Sequence, residues 1–152
     1  MKYPVMVAVI AISVMPLLSC TGKLPPKLGI SQGAFAPCPS SPNCVSSDAG
    51  DRRHHIAPFL LALPPEKAWP EARELISGMT RSQIVTETAD YLHVECRSFL
   101  FGFVDDLELH LRPAEGLIAV RSASRLGYSD LGLNRRRIED LRASLIARRV
   151  LK

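Results

Sequence analysis

Polar side chains able to do chemistry concentrate in residues 38–47, in residues 121–138 and in the short segment 103–106. Asp105 stands out because its neighbours on the predicted strand are apolar, and an unpaired buried carboxylate is very costly. Arg125 and Arg137 follow the next predicted strand and could pair with it. The full candidate cluster comprises Asp105, Arg121, Ser122, Ser124, Arg125, Ser129, Asp130, Asn134 and Arg137.

This candidate cluster supports two interpretations. In the structural interpretation, Asp105 and an arginine form a buried network that fixes the last loop and helix to a sheet. In the functional interpretation, a pocket for an anion or polar ligand lies near a helix N-terminus, where free backbone N–H groups attract anions. The lining of that pocket would be Arg121, Arg125, Ser129 and Asn134. The sequence leaves both interpretations open.

Catalytic signatures are weak. A serine hydrolase needs a histidine that is held by a carboxylate and reaches a serine, and none of the four histidines lies in a nucleophile-elbow motif. Asp105 and Asp106 point to opposite faces of a regular strand, which makes them a poor acid–base pair. The chain has no P-loop, dinucleotide fingerprint or HExxH motif. We therefore assign no catalytic residue, metal ligand or cofactor from the sequence.

Three motifs make the sequence resemble the uncharacterised DUF1499 family. They are CPxxPNCVSS at residues 38–47, FxDD at 103–106 and RSxSRxGxSDLGxNRxRI at 121–138, in that order. The resemblance covers roughly residues 36 to 150. The family has no established activity, so the resemblance implies relatives and no reaction.

The cysteines indicate an oxidising compartment, where disulfides are permitted. Cys38 and Cys44 enclose five residues, including two prolines that favour a compact loop. A local Cys38–Cys44 disulfide with a buried, free Cys96 is the leading expectation. Two free thiols, or a bridge from one of them to Cys96, are the alternatives. A zinc site is less favoured because the spacing is unusual and no adjacent histidine completes it.

The N-terminus is typical of a lipoprotein signal peptide over residues 1–19. Lys2 precedes an apolar run from Val5 to Leu18, and Leu17-Leu18-Ser19-Cys20 fits a lipobox. The run is shorter than the roughly 20 residues that span a bilayer. We expect lipidation of Cys20, whose acyl chains would anchor the protein stably. An ordinary secretory signal with an incidental cysteine, and an uncleaved anchor, are the alternatives.

The remaining chain divides into a lipidated tether, residues 20–36, and one domain, residues 37–152. Thr21 follows Cys20 in place of an aspartate, which favours the outer over the inner membrane in the sorting pattern of Gram-negative lipoproteins. The formal net charge of +4 is compatible with anionic headgroups. It is a weak argument for nucleic acid, which an exported protein rarely meets.

Periodicity predicts an α+β fold of order β-α-β-β-β-α, with a small antiparallel sheet and both helices on one face. The predicted strands are residues 56–63, 82–98, 99–112 and 117–124. The first helix opens at Pro64 with Pro70 in its first turn, or it begins at Pro70 itself. The last helix is capped by Asn134 and buries Ile138, Leu141, Leu145 and Ile146.

On the predicted third strand, Phe101 and Phe103 share the apolar face with Asp105, and Asp106 lies on the opposite, charged face. Loss of the Asp105 carboxylate is therefore expected to destabilise the domain much more than loss of the Asp106 carboxylate.

These observations predict an envelope lipoprotein, anchored in the membrane, whose domain is a non-catalytic binding or structural module for a protein partner or a small anionic ligand. The alternative is a hydrolase-like enzyme that acts on an envelope component.

Overall fold

The computed structural model describes residues 25, 28–99 and 101–152. The predicted signal peptide and the predicted lipidation at Cys20 lie outside these residues. The strands are β1 (Ile30–Ser31), β2 (Ala34–Phe35), β3 (Cys44–Ser46), β4 (Phe59–Leu60), β5 (Ser82–Glu87), β6 (Tyr91–Arg97), β7 (Val104–Arg112) and β8 (Leu117–Ser124). The helices are α1 (Pro65–Ser77) and α2 (Leu133–Ala147).

The α+β class is confirmed, with a larger sheet than the sequence predicted. Six strands pair antiparallel in the order β3-β8-β7-β6-β5, with β4 also paired to β8. The predicted strand over residues 82–98 is wrong, because a turn at Thr88–Asp90 divides it into the hairpin β5–β6. The Thr88 backbone N–H donates to the Tyr91 carbonyl, and the Thr88 hydroxyl accepts from the Tyr91 N–H.

The apolar core lies between α1, α2 and one face of the sheet, because alternate strand residues and the two helical stripes are apolar. Its members on the strands include Leu92, Val94, Leu107, Leu109, Ile118 and Val120. The helices contribute Ala68, Trp69, Ala72, Ile76, Ile138, Leu141 and Leu145. Ile146, which was predicted to be buried, is 44% exposed because it lies outside this stripe.

Two proline positions differ from the predictions. Pro70 lies inside α1 and not in its first turn. Proline has no N–H to donate to the Glu66 carbonyl one turn earlier. Because Pro70 is exposed, that carbonyl lies on the solvent side of the helix. The predicted strand over residues 56–63 is reduced to the two residues of β4, which begins directly after Pro58. Proline cannot donate to a ladder, which restricts pairing at this edge.

The loop before β7 replaces the first part of a predicted strand. Strand β7 begins at Val104, and Gly102 has a left-handed φ of 64° that interrupts extended backbone. Phe99, Phe101 and Phe103 therefore do not join the core and are 79%, 66% and 41% exposed. The predicted placement of Phe101 and Phe103 on the apolar face is wrong.

The second face of the sheet, which carries the predicted charges, is covered by the N-terminal segment. Strands β1 and β2 form a hairpin, and Phe35 packs against Tyr91 and Ala119. The Gly29 N–H donates to Glu108 Oε1 at 2.7 Å. The folded part therefore extends from Leu28, into the stretch predicted to be tether. No helix within the described ranges is long and apolar enough to span a bilayer.

Candidate functional site

The first polar network lies on the helix side of the sheet and is called here the helix-face network. It comprises Asn43, Asp105, Ser122, Ser124, Asn134 and Arg137. Asp105 is 6% exposed, and Arg137 Nη2 donates to its Oδ2 at 2.6 Å. Arg137 Nη1 also donates to Ser122 Oγ at 3.0 Å. The ion pair thus joins β7 and β8 to the first turns of α2.

Asn134 is the centre of this helix-face network and not the predicted N-cap. It lies inside α2 and is completely buried. Its Oδ1 accepts from Ser122 Oγ and from Arg137 Nη1, both at 2.6 Å. Its Nδ2 donates to Ser124 Oγ at 2.9 Å and to the Asn43 carbonyl at 3.1 Å. Every hydrogen-bonding site of the amide therefore has a partner.

Asp130 performs the capping that was predicted for Asn134. Its Oδ2 accepts from the Asn134 N–H at 2.8 Å, and its Oδ1 accepts from the Gly132 N–H at 3.0 Å. A carboxylate at this position also complements the positive end of the helix dipole. The Asp130 carboxylate therefore already occupies the position at the N-terminus of α2 where an anionic ligand would bind.

The first motif of the sequence joins the helix-face network through Asn43. Its Nδ2 donates to the Gly127 carbonyl at 2.7 Å, and its own carbonyl accepts from the Ser124 N–H at 2.9 Å. A disulfide joins Cys38 and Cys44, and Cys96 is free and buried. The three motifs, distant in sequence, therefore meet at one end of the sheet.

A second polar network, the opposite-face network, lies on the other side of β7. Its first part is Asp106, His93, Arg125 and Glu95. Asp106 is 1% exposed and accepts from Arg125 Nη2 at 2.7 Å and from His93 Nε2 at 2.7 Å. Burial alone would raise the pKa of Asp106, but hydrogen bonds from Arg125 and His93 outweigh it and lower that pKa below its ordinary value.

The second part of the opposite-face network surrounds Glu108, which is completely buried. Glu108 accepts from Arg121 Nη1 at 2.7 Å and from the Tyr91 hydroxyl at 2.8 Å, in addition to the Gly29 N–H. Burial and the Glu108 charge raise the pKa of the Tyr91 phenol far above its ordinary value. Among the described residues, Arg121 Nε is buried without a hydrogen-bond partner.

The predicted cluster is therefore divided between the two faces. Asp105, Ser122, Ser124, Asn134 and Arg137 lie in the helix-face network, and Arg121 and Arg125 lie in the opposite-face network. Ser129 and Asp130 lie in the β8–α2 loop, where Ser129 Oγ accepts from the Leu131 N–H. Each of the three arginines already pairs with a carboxylate. These residues do not converge on one cationic pocket.

The histidines have partners other than serine hydroxyls. His54 Nδ1 is 2.9 Å from the Asp51 carboxylate, but its Nε2 faces the Ser41 carbonyl at 3.1 Å. His93 is held by Asp106. Within the described ranges, no histidine is hydrogen-bonded to a serine hydroxyl, and no group of three potential metal ligands is assembled.

Exposed apolar side chains surround the end of the sheet where the helix-face network lies. This surface, called here the apolar tip, consists of Phe99, Phe101, Phe103, Leu126, Tyr128, Leu131 and Leu133. They belong to the β6–β7 loop, the β8–α2 loop and the first residue of α2. Phe103, Leu126, Leu131 and Leu133 line one cavity of about 240 Å³ together with Asp105 and Ser124.

Sequence reasoning missed the apolar tip because alternating phenylalanines are typical of a strand. Gly102 and Gly127, which have left-handed φ angles, were the available signals for loops.

Comparison with known proteins identifies the family of the chain. The family model described as "Protein of unknown function (DUF1499)" matches residues 34–145, which is well over half of the chain. The chain therefore belongs to this family. No curated protein and no solved structure matches it.

Proposed function

We propose that this DUF1499 protein is a lipid-anchored envelope protein whose domain is a non-catalytic binding module, with the apolar tip as its binding surface. The observation that carries the proposal is the placement of exposed apolar residues. Seven of the ten large hydrophobic side chains that are exposed in the described part of the chain belong to the apolar tip. Single exposed hydrophobic residues are ordinary, but a contiguous group marks an interaction site.

The loops of the apolar tip are held in place by hydrogen bonds, which supports a preformed binding surface. The Ser98 hydroxyl accepts from the Phe103 N–H, and the Ser98 N–H donates to the Phe103 carbonyl, both at 2.9 Å. Asn43 holds Gly127 in the second loop, and Asp130 holds the start of α2. A surface ordered before binding loses less conformational entropy when a partner docks.

The buried networks support a structural role for the motif residues. A small anionic ligand would need a cation free of carboxylates, whereas Arg121, Arg125 and Arg137 are each neutralised within the domain. The geometry therefore favours a partner that recognises apolar side chains over an anionic ligand. Envelope location and lipidation at Cys20 rest on the N-terminal sequence pattern.

Photo-crosslinking in cells that produce the full chain tests the binding surface. A p-benzoylphenylalanine residue is placed at Phe101, and a matched control is placed at Leu60. Leu60 is 51% exposed and pairs with Leu117 at the opposite end of the sheet. We expect adducts from position 101 and none from position 60. Absence of adducts from position 101, or equal adducts from both, would contradict the proposal.

The hydrolase alternative is tested by incubating the protein with ester, phosphoester and glycan substrates. We expect no turnover. Turnover that Asp105→Asn abolishes without unfolding the protein would overturn the non-catalytic assignment.

A further inference from the structure

We infer that the partner of the apolar tip is the bilayer itself, so that the domain lies against the membrane with these loops in the interfacial region. This inference rests on the proposed function, because it takes the apolar tip as the binding surface and Cys20 as the lipid anchor. The proposed partner is a lipid surface that carries anionic headgroups.

The chemistry of the apolar tip matches an interfacial region. Three phenylalanines, a tyrosine and three leucines project from loops. Tyr128 combines an apolar ring with a polar hydroxyl, and such side chains favour the boundary between hydrocarbon and water. Phe99, Phe101 and Tyr128 are each more than 60% exposed, so they can enter a bilayer without rearrangement of the core. Insertion would remove this apolar area from water, which is favourable in proportion to the area.

Charges beside the apolar tip complement anionic headgroups. The Arg81 guanidinium lies 5.4 Å from the centre of the Phe99 ring. Arg136 is exposed three residues after Leu133 and has no ion pair within the described ranges. Two carboxylates lie beside these side chains: Asp105 is paired with Arg137, and Asp130, in the β8–α2 loop itself, accepts hydrogen bonds from the Gly132 and Asn134 N–H groups. Basic residues close to an anionic lipid surface strengthen its attraction for the protein.

The length of the tether keeps the domain at the membrane. Residues 28–36, which were predicted to be tether, fold against the opposite face of the sheet. Only eight residue steps then separate Cys20 from Leu28. Fully extended, such a segment spans about 28 Å. A domain of this size has a diameter of about 35 Å, so it cannot move clear of the bilayer by more than its own width.

The point where the tether leaves the domain is compatible with this orientation. Gly29 is hydrogen-bonded to Glu108, which is four residues along β7 from Val104, the residue that follows Phe103 of the apolar tip. Four residues of strand span about 13 Å. The tether is therefore long enough for the apolar tip to reach the bilayer while Gly29 stays hydrogen-bonded to Glu108.

Tryptophan fluorescence of the lipidated full chain in vesicles tests the inference. The chain has one tryptophan, Trp69, which is buried and supplies a constant background. Phe101→Trp and the control Leu60→Trp are reconstituted in vesicles of phosphatidylethanolamine and phosphatidylglycerol, with and without bromine on the acyl chains. We expect brominated lipid to remove about half or more of the emission added at position 101 and little of that added at position 60.

The possible outcomes separate this inference from the proposed function. Equal quenching at both positions, or quenching at position 60 alone, overturns the membrane orientation. Crosslinks from position 101 to another protein without quenching overturn the lipid assignment and leave the binding surface standing. Crosslinks between two copies of the chain without quenching assign the apolar tip to a dimer instead. If position 101 gives no crosslinks and no quenching, both the proposed function and the membrane orientation are overturned.

Discussion

Asp105 and Asp106 are adjacent in β7 and point to opposite faces of the sheet, and the two networks around them are built differently. Asp105 has one arginine, Arg137, which also donates to the Ser122 hydroxyl on β8 and to the Asn134 amide oxygen on α2. Asp106 is surrounded by charged or titratable groups from neighbouring strands. The helix-face network therefore positions α2 and the loops, whereas the opposite-face network balances charges beneath the N-terminal segment.

Among these substitutions, Asp106→Ala is expected to cause the largest loss of unfolding free energy. His93 would lose its carboxylate partner and Arg125 would keep only Glu95, and breaking a buried ion pair costs about 3–5 kcal/mol in unfolding free energy. Asp105→Ala should cost no more, because Arg137 keeps Ser122 and Asn134 as acceptors. Urea denaturation measures both variants.

This ranking reverses the expectation from the sequence, which placed Asp106 on the charged face of the sheet and expected its loss to cost much less than that of Asp105. The matched control is Asp140→Ala, an exposed aspartate in α2, which should change stability by less than about 0.5 kcal/mol. A larger loss for Asp105→Ala than for Asp106→Ala would show that the helix-face network is the more important of the two.

Asn134→Ala tests how much the helix-face network contributes to stability. It would leave Ser122, Ser124 and the Asn43 carbonyl without their shared partner, and each unsatisfied buried group costs about 1–3 kcal/mol. We expect a total of about 3 kcal/mol by denaturation, with faster amide exchange in the loop that holds Asn43. Arg136→Ala, at an exposed position in the same helix, should be nearly neutral. Unchanged exchange around Asn43 would contradict the proposed link between motifs.

Acid should weaken the opposite-face network through Asp106. Its pKa is lower in the folded protein than its ordinary value of 3.8. The carboxylate therefore contributes stability above the unfolded pKa, and this contribution disappears as the pH falls through the folded pKa. The difference in unfolding free energy between the wild type and Asp106→Asn should be constant near neutral pH and narrow below about pH 4. If the difference in unfolding free energy between the two proteins widens in acid, the predicted direction of the Asp106 pKa shift is contradicted.

The smallest effect on stability is expected at the apolar tip. Phe101→Ser removes an exposed side chain and should change the unfolding free energy by less than about 0.5 kcal/mol, while weakening binding through the apolar tip. Phe59→Ser, at a completely buried phenylalanine, should cost about 3–5 kcal/mol. Differential scanning calorimetry compares the two. A large loss for Phe101→Ser would mean that Phe101 stabilises the fold.

Much of the fold could be predicted from local patterns. Alternation placed Leu92, Val94 and Cys96 on the core face, and the buried stripe of α2 was predicted at Ile138, Leu141 and Leu145. Boundaries were less predictable. The turn at Thr88–Asp90 lacks glycine and proline, so it has no strong local signal. The Phe99–Phe103 alternation continues into a true strand, and Gly102 is the local sign of the break before that strand.

The candidate site was predicted in composition and not in arrangement. The sequence contained the polar residues of both networks, and the pairing of Asp105 with Arg125 or Arg137 was foreseen in part. Asn134 was misassigned because asparagine before a helical stripe is also typical of an N-cap. Asp130 caps the N-terminus of α2 instead, because Leu131 and Gly132 both have left-handed φ angles and form the turn between the loop and the helix.

Local patterns in the sequence were sufficient for the α+β class, the family motifs and the alternation that sends Asp105 and Asp106 to opposite faces of the sheet. Only the tertiary structure decided that both faces are buried, since residues 28–36 return to cover charges that periodicity assigns to solvent. It also decided which apolar side chains stay exposed. Local periodicity reports which face a side chain is on, whereas burial depends on what distant segments pack against that face.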